Sequence, residues 1–279
     1  MSTDAGSLKR GVALLKLLAT AGARGLALTE LAERAGVPHP SAHRILWQLI
    51  EERLVDNDPE TRRYRLGPLT FELGIASSTL HDIRDLCAPS MEVLAKETED
   101  TVYLVVRSGF DAVCMDRREG AFPIRALVLE VGSRRPLGVG AGGLAVLAAI
   151  DAAERQNIIE RVAPSLGAFG DLDEAGLVEA CENTREFGRS LIQNRVSLGI
   201  TAVGIHFCNP AGQPIGALSV AALTPRMSPR RVQSITELLR TACSEVESQS
   251  RLRLSRKRVR AGRSEFPTIR AYPGDPPPP

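Results

Sequence analysis

No Cys-x-x-Cys pair occurs in the chain, and its five cysteines (Cys87, Cys114, Cys181, Cys208 and Cys243) are odd in number and far apart. That spacing supplies neither a disulfide framework nor a zinc-ligand set, and it predicts reduced structural thiols in a cytoplasmic protein. Long apolar runs are missing too. Each breaks off well short of the about 18 residues a membrane helix needs, and no charged leader opens onto an apolar signal core, so a soluble protein with no membrane partner is expected. Catalytic signatures are equally scarce, with no Gly-x-Ser-x-Gly elbow, no His-Glu-x-x-His and no P-loop lysine motif. No enzyme activity, cofactor or metal is expected. His39 and His43 stand four residues apart, but no nearby cysteine or carboxylate completes a metal site. His206 alternates within a strand-like run and reads as a partly buried, satisfied residue. Trp47, the single tryptophan, reads as a packed aromatic on a domain surface.

What is present is a chain of 279 residues, 43% apolar, long enough for two domains with a sizeable core. Its formal net charge of +2 conceals an uneven distribution. Residues 1–66 hold ten basic and eight acidic side chains, residues 67–250 hold 17 and 23, and residues 251–279 hold eight and two. An acidic middle repels DNA, so any nucleic-acid contact belongs to the N-terminal segment and, to a lesser degree, the basic tail.

Residues 28–66 carry the strongest signal. Thr29, ahead of Glu30, Leu31 and Ala32, is placed to cap a short helix that Gly36 ends, and it is also expected among the DNA-contacting residues. Pro38 and Pro40 suit the first turn of a second helix, starting near Pro40 or Ser41. In that helix Ala42, Ile45, Leu46, Leu49 and Ile50 recur at the helical period and face inward. The other face presents Ser41, His43, Arg44 and Gln48, with His39 just ahead; Arg and Gln form paired hydrogen bonds with guanine and adenine edges. The turn-rich stretch Asp56 to Thr61 then predicts a hairpin tip, with Arg62, Arg63 and Arg65 on the return strand in reach of phosphates. Two helices, a tight turn and a basic hairpin are the layout of a winged helix-turn-helix whose partner is double-stranded operator DNA.

Elsewhere the periodicity predicts a helix over 8–19, with Leu8, Val12, Leu15 and Ala19 on its apolar stripe. Gly67-Pro68 marks a boundary before a connecting helix over 69–80 carrying Leu69, Leu73 and Ala76. A further helix spans 82–99, broken or kinked near Pro89. Strands are predicted over 101–107, 112–117 and 124–129, and an antiparallel hairpin over 201–208 and 215–223. Helices are predicted over 140–150, 152–162, 173–187 and from 228 to about 253. The final segment, basic and then proline-rich, predicts a disordered tail.

These residues resemble a family. Ser7-Leu8-Lys9-Arg10-Gly11-Val12-Ala13-Leu14-Leu15, followed by Leu28-Thr29-Glu30-Leu31-Ala32, Gly36-Val37-Pro38 and Ser41-Ala42-His43-Arg44-Ile45-Leu46, is similar to the N-terminal domain of IclR-type bacterial transcription regulators. The stretch from Leu137 to Ala148 resembles the glycine-rich helix start of that family's effector domain, and Gly216-Ala217-Leu218-Ser219-Val220 its late core strand. The resemblance spans about residues 7–250. It implies an α+β chain with a winged helix-turn-helix over 7–67, a linker helix over 68–80, and a GAF-like effector and oligomerisation domain over 81–254. That domain would carry an antiparallel sheet flanked by helices, leaving 255–279 as the tail. It also implies a homodimer or homotetramer on a palindromic operator, controlled by a small organic effector, often a carboxylate or aromatic catabolite.

Gly138, Gly140 and Gly143 satisfy the dinucleotide fingerprint, but no buried strand leads into them and no alternating strand-helix pattern opens there. A helix start that receives a carboxylate on free amides fits better. Gly140 and Ala141 match ligand-contacting positions of the family. Where relatives that take small polar acids have an acidic residue, a cysteine and a second serine, this chain has Ile192, Ala202 and Ala221, while Ser219 keeps its hydroxyl. The implied effector is therefore larger or more apolar than a two- or three-carbon acid. The alternative is a small-molecule-binding protein or enzyme with a helical N-terminal appendage.

Overall fold

The computed structural model describes residues 6–76 and 78–261. Three helices open the chain: α1 (Ser7–Ala21), α2 (Leu28–Ala35) and α3 (His39–Glu51). A hairpin of β1 (Val55–Asn57) and β2 (Tyr64–Leu66) completes this unit. The core joins Leu14 and Leu18 of α1, Leu31 of α2 and Ile45 and Leu46 of α3 to Val55 and Tyr64 of the hairpin. The buried face of α1 is Gly11, Leu14 and Leu18, while the expected Leu8 is 83% exposed and Val12 lies outside. Gly11 lies against α3, where a Cβ added to it would sit 3.5 Å from Ile45, an ordinary van der Waals distance.

Helix α2 is capped differently from the sequence expectation. Its N-cap is Ala27, and the Glu30 carboxylate reaches back to accept from the Ala27 amide at 2.8 Å, leaving Thr29 exposed inside the first turn. A carboxylate satisfies an orphan N-terminal amide and suits the positive end of the helix, which the neutral Thr29 hydroxyl matches less well. Gly36 ends the helix at φ 61°, in the left-handed conformation where only glycine escapes a steric cost. Helix α3 starts at His39, with Pro40 in its first turn.

Helices α4 (Pro68–Ala76) and α5 (Ser78–Thr98) lead into the second domain, and α5 runs through Pro89 without ending. Its sheet has six antiparallel strands in the order β5-β4-β3-β8-β7-β6. They are β3 (Thr101–Ser108), β4 (Asp111–Arg118), β5 (Arg134–Pro136), β6 (Ser190–Gln193), β7 (Ile200–Cys208) and β8 (Pro214–Leu223). The helices α6 (Ala141–Ala149), α7 (Ala152–Leu166) and α8 (Glu174–Phe187) lie between β5 and β6, and α9 (Pro229–Ala261) closes the chain. The C-terminal helix thus continues into the segment expected to be disordered tail, and residues 262–279 lie outside the described residues.

Strand alternation divides the core into two layers. Val102, Leu104 and Val106 with Leu218, Val220 and Ala222 face α5 and α9. Val105, Ala112 and Ala217 face the other way, onto α6, α7 and α8. Two short strands, β5 and β6, lie where no element was predicted from the sequence. The apolar run 124–129 is a loop instead of a strand, because β5 takes the edge of β4 and side chains take the loop's backbone groups: Ala126 O and Val128 N bond Tyr103, Val128 O bonds Arg135, and Leu129 O bonds Arg117.

The N-terminus of α6 lies directly on the sheet. A Cβ at Gly204 would sit 2.7 Å from the Ala141 carbonyl oxygen, and one at Gly142 would sit 2.9 Å from Val105. Ser190 fixes the contact by donating from Oγ to Ala141 O at 2.7 Å. Gly204→Ala is expected to cost about 1–3 kcal/mol in denaturant unfolding through overpacking against backbone. Gly167→Ala, with open space around it and an ordinary helical φ of −59°, is expected to be neutral or slightly stabilising.

Candidate functional site

Helix α3 puts Ala42, Ile45 and Leu46 into the core, so the 3.6-residue period turns His39, His43, Arg44, Trp47 and Gln48 outward, with Ser41 at the boundary. Trp47 is 59% exposed and is not the packed aromatic expected. Arg44 and Arg62 have no acidic partner among the described residues, whereas two of the hairpin arginines do. Arg63 donates to Gly25 O at 2.9 Å and pairs with Glu30 at 3.5 Å, while Arg65 pairs with Asp58. Arg62 sits in the turn, not on the return strand, at φ 54°. Asp58 folds that turn by accepting from the Glu60 and Thr61 amides. The Thr61 amide is the main reason its carboxyl lies below the usual range, and the Ala27 amide does the same for Glu30. His43, Arg44 and Gln48 on the outer face of α3, Ser41 at its boundary and Arg62 at the hairpin turn are thus accessible, whereas Arg63 and Arg65 are engaged within the wing.

The second site is a cavity between the α6 N-terminus and the face of the sheet that carries Val105. It offers about 50 Å³ to the centres of water molecules, several times what one water needs, and an empty volume of about 620 Å³ with its open mouth included. All six residues singled out from the sequence line it: Gly140, Ala141, Ile192, Ala202, Ser219 and Ala221. Register explains the convergence. Ile192 pairs Ala202, Ala202 pairs Ala221, and Tyr103 pairs Ser219, so neighbouring strands project these side chains to one side. Gly140, at φ 79°, is the N-cap of α6, and the first-turn amides after it have no intrahelical partner.

Other lining residues escaped the sequence reading, among them Tyr103, Val105, Cys114, Leu129 and Arg135. The alternation of β3 and β4 points to the first three once strand pairing is known. Arg135 lies in a stretch for which no element was predicted, and only the pairing of β5 with β4 shows which way it faces. Its Nη2 donates to Val128 O at 2.6 Å, and its guanidinium lies 6.0 Å from the centre of the Phe169 ring. Burial lowers its pKa from the ordinary value. Burial also pushes the Cys114 thiol up to about 12, so it remains protonated and behaves as an apolar surface. Ser219 makes no side-chain hydrogen bond among the described residues, leaving its hydroxyl for an occupant.

Gly138 and Gly143 serve packing here, whereas Gly140, whose added Cβ would have only Arg135 Nη1 at 4.0 Å, supplies the positive φ of 79° at the α6 N-cap. A Cβ at Gly138 would meet Leu177 at 2.7 Å, and one at Gly143 would meet Ala112 at 3.2 Å. The strand that precedes them, β5, is a half-buried antiparallel edge strand, so no buried strand leads into the glycines, as expected, and they open no parallel strand-helix-strand unit. Among the described residues no cluster of His, Cys, Asp and Glu could hold a metal, and no helix is long and apolar enough to cross a membrane. His206 is half-buried, and burial lowers its pKa.

A winged helix-turn-helix joined to an α+β domain with an apolar cavity defines a ligand-sensing transcription regulator. The model of the IclR helix-turn-helix domain matches residues 7–59, and that of the bacterial transcriptional regulator IclR C-terminal domain matches residues 76–248. The chain belongs to the IclR family: it is a transcription regulator with an effector-binding C-terminal domain, and not an enzyme. It is 27% identical over 222 residues to the HTH-type transcriptional regulator KipR of Bacillus subtilis, covering 79% of this chain and 88% of that protein. A solved IclR regulator from Alicyclobacillus acidocaldarius superposes with a TM-score of 0.70 at 26% identity, over 88% of this chain and 98% of the other. An IclR homologue from Microbacterium hydrocarbonoxydans, solved with 4-hydroxybenzoate, superposes at 0.68 and 21% identity, over 88% and 100% of the two chains.

Tyr103 connects the sheet to the loop that closes the cavity, donating to Ala126 O at 2.6 Å and accepting from Val128 N at 3.0 Å. Tyr103→Phe is expected to cost about 1–3 kcal/mol by leaving these groups unpaired. Hydrogen exchange checks its location: the Val128 amide should exchange faster while the Leu46 amide of α3 is unchanged.

Proposed function

We propose that this regulator reads its operator through Ser41, His43, Arg44 and Gln48, supported at a backbone phosphate by Arg62, and responds to a relatively apolar organic acid held in the α6 cavity. The observation that carries the effector reading is the lining itself. Three of the four side chains that family resemblance places around a ligand are Ile192, Ala202 and Ala221, with Ser219 as the polar one, so an occupant must bury apolar surface. A free helix N-terminus at the same cavity suits a carboxylate. That a solved relative holds 4-hydroxybenzoate supports an aromatic acid as a first probe.

Phe71 and Leu73, 67% and 55% exposed on α4, support a homodimer or homotetramer, which would present two copies of α3 to a palindromic site. A cytoplasmic location follows from work on chromosomal DNA. The division of labour between residues 7–67, 68–80 and 81–254 is part of the same proposal.

Two measurements test it. In anisotropy titrations on the DNA upstream of the gene, Arg44→Ala should cost about 1–3 kcal/mol if the side chain reads a base. Arg62→Ala should weaken all sequences alike and reduce the salt slope by about one. Affinity for that DNA unchanged by Arg44→Ala and Gln48→Ala together would remove α3 from base reading.

In thermal melts, 4-hydroxybenzoate, phenylacetate and hexanoate are expected to raise the unfolding temperature, and Ala141→Trp or Ala202→Phe to abolish the rise while operator binding persists. The melt without ligand identifies a variant that fails to fold, and the other then carries the test. A stronger response to glyoxylate or pyruvate than to these acids would overturn the apolar-effector reading.

A further inference from the structure

Arg135 is the exception among the arginines on β3, β4 and β5. Arg107 pairs with Glu154, Arg117 with Glu119, Arg118 with Asp116 and Arg134 with Asp111. Adjacent residues of a strand face opposite sides, so Arg134 meets its carboxylate outside the cavity while Arg135 turns in. Among the described residues no acidic side chain lies within ion-pair distance of Arg135; only a carbonyl oxygen and the edge of its distance to an aromatic ring attend it. A half-buried guanidinium left without a counter-charge is costly, and its five N–H donors exceed what Val128 O can accept.

Its position supplies the second half of the argument. A Cβ on Gly140 would be 4.0 Å from Arg135 Nη1, which places the guanidinium beside the N-cap of α6. Two sources of positive potential, one a charge and one the end of a helix, thus flank the same corner of an otherwise apolar cavity.

We infer that Arg135 is the specificity-determining residue of the cavity: it binds the carboxylate of a monoanionic effector at the α6 N-terminus and so selects acids over neutral molecules of the same shape. The apolar body of the acid then lies along Val105, Cys114, Ile192, Ala202 and Ala221. This inference rests on the cavity being the effector site. It adds that charge selection resides in one side chain on β5, apart from the helix amides.

Matched pairs of probes separate the two. Calorimetric titration of the full chain with 4-hydroxybenzoate and 4-hydroxybenzamide, and with phenylacetate and phenylacetamide, should show the acid favoured about tenfold or more, the range of a charge-assisted contact. Arg135→Leu should bring the acid down to the amide while leaving the amide unchanged, and Arg135→Lys should restore part of the preference. If acid and amide weaken together in Arg135→Leu, the residue only braces the loop through Val128 and the inference is overturned. It is overturned too if the wild-type chain binds amides as well as acids, an outcome that leaves the cavity as the effector site. Failure of every acid and amide to bind at millimolar concentration would overturn both.

Discussion

The seating of the α6 N-terminus on the sheet is the contact on which the sensory domain depends. Gly204 and Gly142 remove the side chains that would hold helix and sheet apart, and the Ser190 hydroxyl bonds the Ala141 carbonyl across the gap. A helix end brought so close cannot also be covered by side chains. Its first-turn amides therefore open into the space beside it, and the strands below contribute Val105, Ser219 and Ala221 as walls. The cavity results from this close approach: backbone packs against backbone at one point, and room remains where the sheet curves away toward β4 and β5.

In the DNA-binding unit two ion pairs anchor the wing. Glu30 satisfies the Ala27 amide of α2 and also meets Arg63, while Asp58 folds the hairpin turn and meets Arg65. Both carboxylates serve backbone and guanidinium at once, which ties the wing to α2 and to its own turn. Exposed pairs of this kind contribute little to stability singly, yet they fix the direction in which the hairpin projects. Arg44 and Arg62 are exposed and have no acidic partner among the described residues, and the acidic balance of residues 67–250 disfavours DNA contact with the body of the chain.

Much of this was legible in the sequence where local periodicity decides the outcome. Ala42, Ile45 and Leu46 fixed the orientation of α3, and the runs 201–208 and 215–223 appeared as the hairpin they form. The six cavity residues drawn from family resemblance converge as expected. The misses have a common physical origin in long-range contact. The buried face of α1 depends on where Leu31, Ile45, Leu46 and Tyr64 of the other elements lie, which no feature of the helix's own sequence records. The run 124–129 has strand composition, but a strand needs a free edge, and the one beside β4 is taken by the polar, three-residue β5. Thr29 lost the capping role to Glu30 because the helix starts two residues earlier than its hydroxyl suggested, with Ala27 at the N-cap. Arg135 stayed hidden for the same reason as β5.

Fixing the cavity by glycine and main chain has a consequence for descent with change. Val105 apart, the parts that set its depth are Gly142, Gly204, Ala141 and Ser190, and they meet through atoms every residue possesses or through the smallest side chains. The side chains at 192, 202 and 221 line the cavity without entering that contact. The seat of the helix therefore imposes no particular side chain at these positions, and the lining can vary within a lineage while the main-chain frame is inherited.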